Sequence, residues 1–165
     1  MQPHLDALYH AREVLMSRGL TVLGLWALGN LLISGYYLAQ SDRRYPPHHF
    51  HGMNVMWGAI NAGLAAWSVL HLHTTSTPPG LTISTFLSDQ LSLERIFLFN
   101  AGLDVAYVAT GFYLVARAAV PATPRPARLL GFGRSLWLQG GFLLLFDAAM
   151  FGLLLRFSEL LLARV

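Results

Sequence analysis

The chain contains no cysteine and no lysine, and charged residues make up only 12% of its 165 positions. The absence of cysteine excludes disulfides, thiolate metal sites and iron–sulfur ligation, and the absence of lysine excludes Schiff-base chemistry and a phosphate-loop lysine. Soluble domains carry about a quarter charged residues, whereas 55% of this chain is hydrophobic. The composition therefore predicts one integral membrane domain, 1–165, rather than a soluble protein.

Four apolar segments are long enough to cross a bilayer, which takes about 20 residues per helix. They predict an all-α, polytopic membrane protein, a four-transmembrane-helix bundle built as two helical hairpins, with spans at 19–40, 50–72, 93–116 and 133–155. Ser92 followed by Glu94 is typical of a helix N-cap with an acid in the first turn, so the third helix is predicted to begin there. The apolar patch at 81–87 is too short to cross and is predicted to lie in the membrane interface.

Two further patterns bear on the architecture. Ahead of the first span, Leu5, Leu8 and Leu15 recur at helical spacing among charged residues, which favours an interfacial amphipathic helix; a frayed helix end is the alternative. Near the ends of the first and third spans, Gly35-Tyr36-Tyr37-Leu38 is followed by a similar Gly111-Phe112-Tyr113-Leu114. This indicates an internal repeat of two hairpins, although ordinary interfacial aromatic residues explain it equally well.

The distribution of the arginines predicts which side of the membrane each connection faces. The two short connections, 41–49 and 118–128, and their flanks carry Arg43, Arg44, Arg117, Arg125, Arg128 and Arg134 against the single acid Asp42. The opposite face carries Arg12, Arg18, Arg95, Arg156 and Arg164, balanced by acids. Because basic residues stay on the cytoplasmic side, both short connections are predicted to be cytoplasmic. Arginines that flank apolar segments meet lipid headgroups, so the expected partner is the bilayer and not a nucleic acid.

Each predicted span has a polar residue near its middle: Asn30, Asn61, Asp104 and Asp147. An aspartate facing lipid at that depth costs about 2.5–3.5 kcal/mol, so we expect these side chains to point inward and meet in one layer. One hypothesis is a site for a proton, a cation or a ligand hydroxyl or amine. The other is that the layer holds the helices together through neutral hydrogen bonds.

More polar residues follow the same helix faces toward the arginine-rich end, and we expect them to form a blind funnel that ends at the carboxyl groups. The predicted ligand-binding residues are Asn30, His51, Asn54, Asn61, Asp104, Tyr107, Arg134, Gln139 and Asp147.

The seven histidines do not predict a metal or haem site. The first, third and fourth spans contain no histidine, so a bis-histidine haem would lack a ligand on a facing helix. The spacings also differ from the two-histidine zinc helix. The sequence predicts no particular cofactor.

Three groups of residues carry a resemblance. The first is Phe50-His51-Gly52-Met53-Asn54 with Trp57 and Asn61; the second is Glu94 and Asn100-Ala101-Gly102-Leu103-Asp104 with Tyr107, Gly111 and Tyr113; the third is Gly131-Phe132-Gly133-Arg134 with Gln139-Gly140-Gly141 and Asp147. In these segments the chain resembles a family of small bacterial four-span membrane proteins described only as a domain of unknown function. The resemblance implies a bacterial inner-membrane protein and no particular reaction.

Three functional hypotheses follow. The favoured one is a membrane protein whose polar midplane cavity binds a small molecule, a lipid headgroup or a proton. The alternative is a non-catalytic accessory or assembly subunit of a larger membrane complex; faces rich in small residues also permit a homodimer. An enzyme that uses Asp104 and Asp147 as general acid and base is less favoured, because no substrate-specific motif accompanies the pair.

Overall fold

A computed structural model of the chain describes residues 2–74 and 79–162, and the elements within these ranges are all helical. The all-α prediction is therefore confirmed. The elements are α1 (Gln2–Gly29), a π-helical turn (Asn30–Ser34), α2 (Gly35–Gln40), α3 (Pro46–Thr74), α4 (Ile83–Ala118) and α5 (Pro126–Leu162). Gly29 and Gly35 keep right-handed helical backbone angles, so α1, the π turn and α2 run on as one continuous rod.

Prolines open two of the helices. Pro46 is the first residue of α3 and Pro126 the first of α5. Proline suits this position because the first amide of a helix has no intrahelical partner and the ring fixes φ near the helical value. The prolines that follow the short connections 41–45 and 119–125 thus belong to the first turns of α3 and α5.

The start of α4 differs from the prediction. Thr82 caps the helix: its hydroxyl oxygen accepts from the backbone N–H of Thr85 at 3.2 Å, and the Thr85 hydroxyl oxygen accepts from the N–H of Thr82 at 3.1 Å. Ser92 lies inside the helix, where its hydroxyl donates to the carbonyl of Ser88. The prediction that Ser92 begins the third helix is thus wrong, because the threonine pair supplies a reciprocal cap earlier in the chain.

The patch 81–87 packs against the N-terminal part of α1. Phe86 is fully buried, and it clusters with Leu5 and Tyr9. The apolar side of the predicted amphipathic segment is therefore covered by the beginning of α4. This contact with α1 buries the apolar side chains of 81–87, although the patch by itself is too short to cross a membrane.

Three helical rods, Leu5–Gln40, Ile83–Ala118 and Pro126–Leu160, are long and apolar enough to cross a membrane. With 29 residues, α3 also has sufficient length at about 1.5 Å per residue. Asn54 and Asn61 lie in its middle, however, and make it less apolar. The fourth crossing stays a prediction.

Helix α5 is the central packing partner: it lies along α4 and also contacts α3 and α1, while α3 lies along α1. Glycine permits the closest approaches. A Cβ atom placed on Gly131 would lie 2.5 Å from the carbonyl oxygen of Pro46 in α3. One placed on Gly133 would lie 2.8 Å from the carbonyl oxygen of Gly111 in α4. At these points backbones touch, as is common between membrane helices.

We expect Gly133→Ala to lower the stability of the protein. The added methyl group would lie 2.7 Å from Cγ2 of Val115 as well as close to Gly111, so the helices must separate. Overpacking of this kind costs about 1–3 kcal/mol, which thermal unfolding in detergent measures. Gly141→Ala is the matched control on the same helix, because no atom lies within 4 Å of its added carbon. Equal melting temperatures for the two variants would contradict the close contact.

Candidate functional site

The first polar cluster is centred on Gln139, whose side chain is fully buried in α5. Its Oε1 accepts from the indole Nε1 of Trp26 at 3.0 Å. Its Nε2 donates to Oδ1 of Asn30 at 2.7 Å and to Oδ1 of Asn54 at 3.0 Å. One glutamine thus links α1, the π turn and α3 to α5.

Two more hydrogen bonds complete this cluster, which we call the amide network (Trp26, Asn30, Asn54, Ser135 and Gln139). The hydroxyl of Ser135 donates to Oδ1 of Asn54 at 2.6 Å, and Nδ2 of Asn30 donates to the carbonyl of Trp26 at 2.8 Å. Leaving a buried polar group without a partner costs about 1–3 kcal/mol. The network avoids that cost for the amide oxygens of Asn30, Asn54 and Gln139 and for the indole N–H of Trp26.

The π turn between α1 and α2 places two polar side chains on the side that packs against α3. Asn30 and Ser34, at the two ends of the turn, are both buried. Ser34 Oγ lies 3.2 Å from Nδ1 of His51, and the ring of His51 stacks on Tyr37. Single π-helical turns are frequent at functional sites. Here the turn borders a cavity of about 320 Å³ that is also lined by His51 and Asn54.

A second cavity, of about 250 Å³, lies among α3, α4 and α5. We call it the carboxyl cavity. Its polar lining consists of Trp57, Asn61, Asn100, Asp104, Tyr107 and Asp147, and leucine, isoleucine and phenylalanine side chains form the rest. None of the described residues that line it is basic.

Asp104 and Asp147 form a pair in this cavity. Their exposed fractions are 3% and 5%, and both side chains line this cavity. An ionised carboxylate only accepts hydrogen bonds, so two ionised aspartates could not satisfy each other. No N–H or neutral hydroxyl of the described residues pairs with Oδ2 of Asp104. Asp104 thus keeps a buried carboxyl oxygen without a donor among the described residues.

Two buried donors beside the pair have no partner among the described residues: Nδ2 of Asn61 and Nε1 of Trp57. Asn61 is only 3% exposed. The Trp57 ring meets Tyr107 edge to face at 5.1 Å, and this contact connects α3 with α4. Buried donors are almost always satisfied by protein, water or ligand. The cavity thus combines unsatisfied donors with carboxyl acceptors in an apolar surrounding.

The structure divides the predicted site residues into two groups. Asn30, Asn54 and Gln139 belong to the amide network, with His51 at its edge. Asn61, Asp104, Tyr107 and Asp147 line the carboxyl cavity. Arg134 is exposed and lines neither cavity. The expected single layer is split because Gln139 engages Asn30, whereas Asn61 lies opposite α4.

Sequence reasoning missed a third polar cluster, Gln90, Glu94 and Ser158. Gln90 Nε2 donates to the carbonyl of Leu154 at 2.7 Å and to Oε1 of Glu94 at 3.1 Å, and the Ser158 hydroxyl donates to the same Oε1 at 2.5 Å. The four-residue spacing of Gln90 and Glu94 was the available signal. Among the described residues, no three histidine or acidic side chains are grouped so that they could hold a metal ion.

The model of a family of unknown function, DUF6992, matches residues 22–148. The chain belongs to this family. The match confirms the resemblance to a domain of unknown function, and the DUF6992 region contains both the amide network and the carboxyl cavity. No curated protein and no solved structure matches the chain.

We expect Gln139→Leu to destabilise the protein, because Trp26 Nε1 and Asn30 Oδ1 lose their partner in a buried position. The expected cost is about 1–3 kcal/mol, measured by thermal or denaturant unfolding in detergent. Gln40→Leu is the matched control at an exposed position. If both variants unfold like the wild type, the amide network does not stabilise the bundle.

Proposed function

We propose that this DUF6992 protein is an integral membrane protein that binds a small molecule in the carboxyl cavity. The observation that carries the proposal is Nδ2 of Asn61, a buried donor without a partner that lines the same cavity as the aspartate pair. A ligand oxygen that accepts from Asn61 and Trp57 would satisfy both donors. A hydroxyl or amine on the same ligand would donate to Asp104.

The proposal includes four membrane crossings, arranged as two helical hairpins. The crossing by α3 is supported by the direction of its side chains. Its polar residues Asn54 and Asn61 are only 1% and 3% exposed, so they face the interior of the bundle. Its exposed positions Met56, Ile60 and Leu64 are apolar. A helix with its polar residues turned inward and apolar residues outward suits a bilayer.

The proposed setting is a bacterial inner membrane, with 41–49 and 118–128 on the cytoplasmic side. The arginines of these connections support this orientation because they are exposed: Arg43, Arg44, Arg117, Arg125 and Arg128. At the opposite end, Arg12 is buried and not available to face solvent. Arg18, Arg95 and Arg156 are exposed at that end, so the two connections carry five exposed arginines against three among the described residues.

The proposed ligand enters from the membrane. The carboxyl cavity lies between α3 and α4, which do not pack along each other in the described part of the chain. Ile60, Leu64 and Leu103 line it and are also exposed on the outside of the bundle. In a bilayer that opening would meet acyl chains, which favours a membrane-soluble molecule or a lipid headgroup over a polar solute.

Ligand binding can be tested by native mass spectrometry of the purified wild type in mild detergent, together with its ultraviolet–visible spectrum. We expect a defined bound mass that Asp104→Asn and Asn61→Leu both lose. Glu159→Gln, at an exposed acid, is the control and should retain the mass. Asparagine keeps the shape of Asp104, so Asp104→Asn should melt close to the wild type.

A wild type that carries no extra mass, or an Asp104→Asn variant that keeps it, would contradict ligand binding in the carboxyl cavity. An empty protein that copurifies with stoichiometric partner chains would support an accessory subunit instead.

Labelling of single cysteines tests the four crossings, because the chain has no cysteine of its own. In oriented vesicles, we expect a membrane-impermeant thiol reagent to reach Asp42→Cys and Thr123→Cys from one side and Gly80→Cys from the other. Leu145→Cys, at a position 76% exposed on the bundle, is the control and should stay unlabelled within the bilayer. Labelling of positions 42 and 80 from the same side would show that α3 does not cross.

A further inference from the structure

Arg12 is a buried cation outside the region that the family model matches. It lies in α1, ahead of residue 22, and is only 4% exposed. Its guanidinium group sits 4.5 Å from the ring centre of Phe86 and 5.1 Å from that of Tyr9. Nη2 donates to Oε1 of Glu13 at 3.3 Å. These contacts place a charged group within an otherwise apolar cluster.

The hydrogen bonds of Arg12 are incomplete. A guanidinium has five N–H donors, and Nε and Nη1 of Arg12 are buried with no acceptor among the described residues. The faces of Tyr9 and Phe86 attract the cation but leave these donors without an oxygen. Glu13 pairs with the charge at 3.3 Å, but a buried donor without an acceptor is costly, and phosphate is an oxygen acceptor that arginine favours.

Arg12 lines a cavity of about 460 Å³ formed by α1, α3 and α4. Two acids, Glu13 and Asp89, line it at the same level of the bundle as Arg12. Farther along, the lining is mainly apolar: Met16 and Leu20 come from α1 and Leu93 and Ile96 from α4, with the hydroxyl groups of Ser68 and Ser92 among them. The cavity therefore has a charged end at Arg12, Glu13 and Asp89 and a mainly apolar end at Leu20 and Ile96.

We propose that this cavity binds a phospholipid whose headgroup carries both a phosphate and a primary ammonium. The phosphate would pair with Arg12, the ammonium with Glu13 and Asp89, and an acyl chain would lie on Leu20 and Ile96. The charges favour a zwitterion over a simple anion, because an anion would meet two carboxylates beside one guanidinium. This site is separate from the carboxyl cavity and does not depend on the function proposed there.

The test is native mass spectrometry of delipidated protein titrated with phosphatidylethanolamine, phosphatidylcholine, phosphatidylglycerol or inorganic phosphate. We expect phosphatidylethanolamine to bind at about tenfold lower concentration than the other lipids, the effect of one charge-assisted hydrogen bond. The quaternary ammonium of phosphatidylcholine cannot donate, and phosphatidylglycerol has no ammonium. Arg12→Gln removes the partner of the phosphate that all three lipids share and should weaken the binding of each, whereas Arg95→Gln, at an exposed arginine at the same end, should leave binding unchanged.

A second variant keeps the test decisive if Arg12→Gln fails to fold. Glu13→Gln combined with Asp89→Asn leaves Arg12 in place and removes the ammonium partners. It should equalise phosphatidylethanolamine and phosphatidylcholine and strengthen phosphatidylglycerol binding. Equal binding of all three lipids by the wild type, binding of inorganic phosphate alone, or an unchanged preference in the double variant would each overturn the proposal. None of these outcomes bears on the ligand of the carboxyl cavity.

Discussion

The bundle depends on the side-chain amide of Gln139. In an interior without water, each buried donor and acceptor must find a partner within the protein, and this one amide serves Trp26, Asn30 and Asn54 together. Rotation of α5 about its axis would break bonds to three other elements at once. Its hydrogen bonds therefore set the angle at which α5 faces the rest of the bundle, and with it the direction in which Asp147, two turns further on, points.

The two polar clusters differ in whether their buried polar atoms have hydrogen-bond partners. In the amide network, the oxygens of Asn30, Asn54 and Gln139 all accept hydrogen bonds, so the network needs no further molecule. In the carboxyl cavity, Asn61 keeps a buried donor without a partner next to a carboxyl pair. Natural structures rarely retain such groups unless something else pairs with them. The amide network therefore fits the packing hypothesis, and the carboxyl cavity is where we propose the ligand.

The helical class and the inward direction of Asn54, Asn61 and Asp104 could be predicted from the sequence, because long apolar segments and the cost of burying a charge leave few alternatives. The division into two clusters could not. The division depends on which helices are neighbours in the fold. Helical spacing shows which face of a helix a residue lies on, but it does not show which other helix packs against that face. The start of α4 was missed for a related reason: the Thr82 cap competes with a plausible one at Ser92, and burial of Phe86 against α1 decides between them.

The position of the carboxyl cavity follows from the glycines of α5. Gly133 brings α5 into backbone contact with α4, and Gly131 does the same with α3. Since α5 lies against both helices at these points, α3 and α4 are held on either side of it and do not pack along each other. The space between them is bridged by Trp57 and Tyr107 and contains the aspartate pair. Close contact on one side of α5 thus leaves a gap between its neighbours, and within that gap Nδ2 of Asn61, Nε1 of Trp57 and Oδ2 of Asp104 lack a partner among the described residues.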